Sequence, residues 1–303
     1  MSAAAGGLVR RRYEDPRELT AFSELRERVG LHDVEEELLA RCFPPGARLL
    51  DLGAGAGREA LGAARCGYEI VAVDFVRGML EAGRRAGGAG VLPIRWLQGD
   101  AARLPFASGA FAGGLLVAQL LEHFHGRAAR VALLREAARV VRPGGHLLVS
   151  VHNGLWRPGV RHWLRRYAER RHGGELPRGG STWVRRMVRA QSVVRAEDVR
   201  DLGRLGAQRA RFEATTVARC VARALGRPAL ETGDGFTAQV SHAGPSDVRM
   251  PFHPYRPGEL ARDARDAGLQ IVAERPFPPP PPGRLGALAA RGADFWYAAV
   301  QVP

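Results

Sequence analysis

The most constraining feature of the chain is a run of nine residues, Leu49-Leu50-Asp51-Leu52-Gly53-Ala54-Gly55-Ala56-Gly57. An apolar segment of strand length enters glycine at every second position, and a helix-like pattern begins at Arg58. Glycine suits a tight turn and a backbone that a ligand approaches closely. The run therefore predicts a buried strand, a ligand-binding turn and a helix in immediate succession. Two common phosphate loops do not fit. A dinucleotide fingerprint requires glycine where Arg58 stands. A P-loop requires Gly-Lys-Ser or Gly-Lys-Thr, and the chain contains no lysine.

The same alternation continues along the chain. Short apolar runs at 48–52, 69–74, 94–98, 113–117 and 146–151 are separated by segments 58–66, 76–86 and 127–141 with apolar residues at three- and four-residue intervals. Strands alternating with helices predict an α/β fold, a doubly wound sheet covered on both faces. The tetrapeptide Arg142-Pro143-Gly144-Gly145 is a stop signal before the fifth strand. Alternation lapses from about residue 154 to residue 247, a largely helical, arginine-rich insertion. It resumes with a helix over 257–267 and strands over 269–273 and 294–302. The proline run from Pro276 to Pro282, broken only by Phe277, is expected to be an extended connection. Four segments result: a helical cover over 1–45, a ligand-binding core over 46–153, the insertion over 154–247, and a completion of the sheet over 248–303.

Two acids lie where a nucleoside needs them. Asp74 ends the second strand and can accept hydrogen bonds from both ribose hydroxyls. Asp100 closes the third strand, within reach of an adenine amino group. With Val73-Asp74 and Met79-Leu80, Gly99-Asp100-Ala101 and Leu104-Pro105-Phe106, and Leu134-Arg135-Glu136 running to Arg142-Pro143-Gly144-Gly145, the stretch from Leu49 to Val151 resembles class I S-adenosylmethionine-dependent methyltransferases of the domain 11 type. The resemblance covers about a third of the chain. It implies a Rossmann-like sheet of seven strands with one antiparallel, and S-adenosyl-L-methionine as cofactor across the carboxyl ends of the first strands. It further implies that Gly53, Ala54 and Gly55 line the donor's amino-acid portion and that Asp74 holds the ribose. Phe75 or Met79 would then lie against the adenine, Asp100 and Ala101 would meet its edge, and Ala118 and Gln119 would flank the methionine part. Asp51 and Gly57 complete this candidate set. The family often has aspartate at the position of Ala112, a departure that touches no donor contact. Tyr13 belongs to a leading segment that often covers the donor in this family.

Methyl transfer from a sulfonium needs alignment and a dry site, and a base only where the accepting atom carries a proton. His123 and His152, which follow the fourth and fifth strands on the ligand-binding edge, are the candidate bases. Glu122-His123-Phe124-His125 has no second cluster with supporting spacing, so no metal is expected. The three cysteines have no metal-ligand spacing either.

The formal charge is +14, and all 45 basic residues are arginine. Between residues 151 and 230, 18 arginines face 6 acidic residues, interspersed with Trp156, Trp163, Tyr167 and Trp183. Such a surface suits an anionic or aromatic small-molecule acceptor, by stacking and cation–π contact. It also suits RNA, and Phe252 to Leu260 is similar to a segment of tRNA wobble-uridine side-chain methyltransferases. The leading reading is methyl transfer to a small-molecule or natural-product acceptor. An RNA-modifying methyltransferase is the alternative, and a non-enzymatic binding or assembly protein retaining the fold is the second. Small residues precede the arginines at the N-terminus, the reverse of a secretory signal, and no apolar run spans a membrane, which predicts a cytoplasmic protein.

Overall fold

The computed structural model describes residues 3–152, 235–277 and 295–303, except 89, 119, 238–247, 249 and 257. These residues belong to one compact unit, Met1–Trp156 with Gly233–Pro303. Three helices come first: α1 (Ala3–Tyr13), α2 (Pro16–Val29) and α3 (Asp33–Cys42). Asp15 caps α2, its carboxylate accepting from the Arg17 backbone N–H at 2.9 Å, and Pro16 takes the first helical position, where its missing N–H is not needed. Arg12 of α1 and Glu18 of α2 form an ion pair at 2.9 Å with 1% and 2% of the side chains exposed, which fixes the angle between the two helices.

The α/β alternation follows as β1 (Arg48–Leu52), α4 (Arg58–Arg65), β2 (Glu69–Asp74), α5 (Arg77–Ala86), β3 (Ile94–Gln98), β4 (Phe111–Leu116), a 3-10 turn (Leu120–His123), α6 (Arg127–Val140) and β5 (Val141–His152). After the insertion come β6 (Gly235–Thr237), β7 (Met250–Phe252), α7 (Glu259–Asp266), β8 (Gln270–Phe277) and β9 (Phe295–Gln301). Seven strands form one sheet in the order β3-β2-β1-β4-β5-β9-β8, and β9 runs antiparallel to both its neighbours. The order reverses between β1 and β4, so the crevice at their carboxyl ends is where open α/β sheets bind ligands.

Strand periodicity divides the core. Leu50, Leu52, Val71, Val73, Leu147 and Val149 face α6 and α7. Leu49, Ile70, Ala72 and Leu148 face the other way, toward α3 and α4. Asp51 therefore falls on the α3–α4 side, near Glu59, Arg58 and Glu35 as well as apolar side chains.

Two expectations change. The Arg142–Gly145 stop signal does not precede β5 but lies inside it. Val141 already pairs with Phe111, and pairing resumes at His146 with Gly113, so the tetrapeptide is looped out as an irregularity. Pro276 and Phe277 belong to β8, paired with Trp296 and Phe295, rather than to the connection. Proline is tolerated there because β8 is the edge of the sheet. Of the predicted helical insertion, the described part is the short strand β6, which pairs with β7. The remaining insertion residues, with Trp156, Trp163, Tyr167 and Trp183, lie outside the described residues. Among the described residues no helix is long and apolar enough to cross a membrane.

Candidate active site

Gly53, Gly55 and Gly57 all adopt positive φ, at 70°, 52° and 86°. A side chain in this region is strained, which is why the loop is built of glycine. What each glycine faces differs. A Cβ on Gly53 would meet Leu120 at 2.8 Å, and one on Gly57 would meet Trp96 at 2.5 Å. At Gly55 the nearest atom is the carbonyl oxygen of Gly53, at 3.9 Å. Gly53 and Gly57 are thus packing glycines, whereas Gly55 presents an open backbone face. The loop is anchored by the Gly53 and Ala54 N–H groups, which donate to the Val73 carbonyl at 2.8 and 3.1 Å. From α2, Arg26 donates to the carbonyl oxygens of Ala56 (3.1 Å) and Ala82 (3.4 Å), a tether that no sequence motif signals.

Asp74 meets the loop directly. Its Oδ2 accepts from the Gly55 N–H and its Oδ1 from the Val76 N–H, each at 2.8 Å. The Phe75 N–H adds a third backbone donor, which leaves the carboxylate at least one lone pair. The residue is 7% exposed, and burial raises its pKa above the ordinary carboxylate value despite these bonds. Asp51 is buried more deeply, at 1% exposure, and its Oδ2 has no hydrogen-bond partner. Burial, reinforced by the nearby Glu59 carboxylate, pushes its pKa well up. Asp100 is different. It is exposed, and its Oδ1 caps the following turn by accepting from the Ala102 N–H at 2.9 Å. Ala101 is half-buried beside it.

Met79 is 2% exposed, in a cluster with Ala56, Val76 and Ala82 against which Phe75 packs from one side and Tyr13 and Phe22 from the cover. The guanidinium of Arg10 lies over the Phe75 ring at 5.5 Å. Ala118, just past β4, has φ of 51°, and among the described residues no other side-chain-bearing residue has positive φ. Held strain of this kind collects at functional sites. Gln119 lies outside the described residues.

The two histidines have different settings. His123 is half-buried, with Nδ1 3.2 Å from the Pro251 carbonyl oxygen and Nε2 3.0 Å from the Tyr13 hydroxyl. Burial lowers its pKa, favouring the neutral ring. His152 ends β5. Its Nδ1 donates to Glu122 Oε2 at 2.8 Å, and its backbone N–H donates to the other oxygen of the same carboxylate. Glu122 is fully buried. The His152 ring sits between Phe295 (centroids 4.6 Å apart) and Phe252 (5.3 Å). A carboxylate that binds both backbone and ring of one histidine locks that ring's orientation. Sequence spacing does not reveal this pairing, because Glu122 and His152 are 30 positions apart on different elements. Among the described residues no group of three His, Cys, Asp or Glu side chains is arranged to hold a metal ion.

Residues 50–149 match a family model described as a methyltransferase domain. Over 106 residues the chain is 39% identical to a protein from Beutenbergia cavernae named demethylmenaquinone methyltransferase, an alignment covering 35% of this chain and 41% of that one. The chain thus spans about two fifths of the length of that relative. The fold is similar to that of the 1,6-didemethyltoxoflavin-N1-methyltransferase of Burkholderia thailandensis, with a TM-score of 0.53 at 16% identity, covering 98% of this chain and 88% of that one. A SAM-dependent methyltransferase from Methanosarcina mazei gives a TM-score of 0.52 at 14% identity, covering 90% and 98%.

Proposed function

From a chain whose residues 50–149 match a methyltransferase domain, we propose an enzyme that takes a methyl group from S-adenosylmethionine and places it on a small, flat acceptor. The single observation that carries the donor half is the junction of Asp74 with Gly55. A carboxylate with a lone pair to spare adjoins a backbone face that no described side chain covers, which suits a ribose lying along the loop. The buried, unpartnered oxygen of Asp51 suits the donor's ammonium group, which would also draw out the charge that burial disfavours. Phe75 and Met79 suit the adenine. Asp100, exposed at the strand end, suits its polar edge. When bound, S-adenosylmethionine supplies a methyl carbon already activated by its positive sulfur. The chain's own work is then alignment and exclusion of water.

On the acceptor side, His152 is the residue we assign as base where the accepting atom carries a proton. Glu122 orients its ring, and Phe252 and Phe295 flank it with surfaces for a planar molecule. Demethylmenaquinone, in the relative's name, carries a planar quinone ring, which supports this choice. The test is calorimetric titration with S-adenosylhomocysteine, followed by label transfer from methyl-labelled S-adenosylmethionine to a panel of naphthoquinols, phenols and fused heteroaromatics. Micromolar binding that Asp74→Ala abolishes, with transfer to one panel class, is the expected result. A folded wild-type protein that does not bind S-adenosylhomocysteine would sink the proposal.

A further inference from the structure

We propose that Tyr13 and His123 form a clasp that holds α1 over the donor pocket, making Tyr13 a positioning residue for the bound donor. The inference rests on the donor reading above. It begins with proton placement. The Pro251 carbonyl can only accept, so Nδ1 of His123 carries the hydrogen and Nε2 holds a lone pair. The Tyr13 hydroxyl therefore donates to Nε2, across 3.0 Å. With both nitrogens engaged, His123 serves as the acceptor of the clasp.

The two partners belong to different elements, the end of α1 and the turn after β4. Tyr13 is the last residue of α1, and its ring packs with Phe22 (centroids 5.6 Å apart) onto the cluster of Ala56, Val76 and Met79. His123 closes the turn after β4, across the switch point from the glycine loop. The residues assigned to the nucleoside lie beneath: Asp74 is 7% exposed and Met79 is 2% exposed. Tyr13 is thus in contact with the donor-side cluster and bonded to the acceptor side, and its hydroxyl proton is the link between them. Such a bond is weak enough to open in each cycle, and its loss changes an equilibrium by about three- to tenfold.

The charged groups facing this pair are Arg12 and Glu18 from the cover, Asp74 from the end of β2, Glu122 beside His123, and His152 from the end of β5. Tyr13→Phe leaves all of them in place and removes one hydroxyl. The experiment is stopped-flow release of S-adenosylhomocysteine from wild type, Tyr13→Phe, His123→Asn and the double variant, across pH. Each single variant should speed release about three- to tenfold, and the double variant no more than either. Across pH the wild-type rate should stay nearly level, because a protonated Nε2 donates to the Tyr13 oxygen and keeps the bond with its direction reversed. A Tyr13→Phe rate equal to wild type overturns the clasp and leaves the donor site standing, as would additive effects of the two substitutions. A wild type that binds no S-adenosylhomocysteine sinks the clasp and the donor site together.

Discussion

The indole of Trp96 occupies the space that a side chain on Gly57 would need: a Cβ there would lie 2.5 Å from the ring's Cη2 atom. The same ring atom approaches Gly83 of α5 just as closely, also at 2.5 Å. One aromatic from the edge strand β3 is therefore slotted between the glycine loop and the next helix. Gly57→Ala adds backbone strain of about 1–2 kcal/mol at φ 86° to an overpacking penalty of about 1–3 kcal/mol. Gly67 is the control, since it has φ 91° and among the described residues nothing lies within 4 Å of a Cβ there, so Gly67→Ala carries strain alone. Urea unfolding should rank Gly57→Ala well below Gly67→Ala, and Trp96→Leu should restore part of the difference. Equal losses would refute the steric account.

Asp51 should trade stability for binding. Its native pKa is raised, chiefly by burial, so the sign is the reverse of an ordinary paired acid. Below the usual aspartate range both folded and unfolded chains are protonated and there is no penalty. As pH rises through that range toward the raised native value, the unfolded chain ionises first and stability falls. Asp51→Asn should remove this slope and raise stability near neutral pH by about 1–3 kcal/mol. It should also weaken S-adenosylhomocysteine binding at least tenfold, about 1.4 kcal/mol. Thermal melts across pH, with and without S-adenosylhomocysteine, measure both effects. A variant that is less stable and binds normally would show that Asp51 is a structural acid.

Arg58 stands where a dinucleotide fingerprint has glycine, and the structure gives it another task. Its guanidinium donates to both oxygens of Glu35 in α3, at 2.7 and 2.8 Å, and to the Gly30 carbonyl at 2.8 Å. Tyr297 of β9 adds a hydroxyl to the same glutamate at 3.0 Å. Burial opposes the charge on Glu35, but the bonds from Arg58 more than offset it and its pKa is lowered. The stability this contributes is present above the usual glutamate range and is lost as pH falls through the lowered native value. Glu35→Gln should cost about 3–5 kcal/mol at neutral pH, because Arg58 would remain buried with only Glu59 to balance its charge. Tyr297→Phe should cost about 1–3 kcal/mol. Denaturant titrations at neutral pH and well below the usual glutamate range test this, and the wild type should lose its advantage over Glu35→Gln at the acid end.

Glu122 and His152 should separate binding from chemistry. His152→Asn is expected to leave S-adenosylhomocysteine affinity within about threefold and to slow methyl transfer about 100- to 10,000-fold. Glu122→Gln keeps the shape but turns an amide group toward donors that now face a carboxylate, so it should follow the same pattern more mildly. Donor affinity falling in step with turnover in both variants would place this pair in the scaffold instead.

How far the sequence reveals the fold depends on the range of the forces involved. β1, β2 and β3 begin and end where the apolar runs do, at 48–52, 69–74 and 94–98, because turn residues bracket each one. β5 extends further, since pairing with β4 on either side of Arg142–Gly145 overrides a local stop signal. The glycine loop and Asp74 are legible because one short stretch of chain builds each. Tyr13 with His123, 110 positions apart, and Glu122 with His152 are not, because periodicity carries no information about which loops meet. Asp100 reads like Asp74 in sequence, yet it is exposed and caps its own turn, a difference set by β3 lying at the rim of the sheet.

The position of β9 has a consequence for how the protein is made. The strand nearest the end of the chain, Phe295–Gln301, lies between β5 and β8, so the sheet cannot close before it emerges from the ribosome. At bacterial or eukaryotic synthesis speeds, β5 waits on the order of ten seconds with Leu147, Val149 and Val151 on an unpaired strand. An open apolar strand is a template for pairing with another chain. Nascent chains halted inside the insertion would therefore be the aggregation-prone species, and a chaperone that shields this margin would act before the last strand arrives.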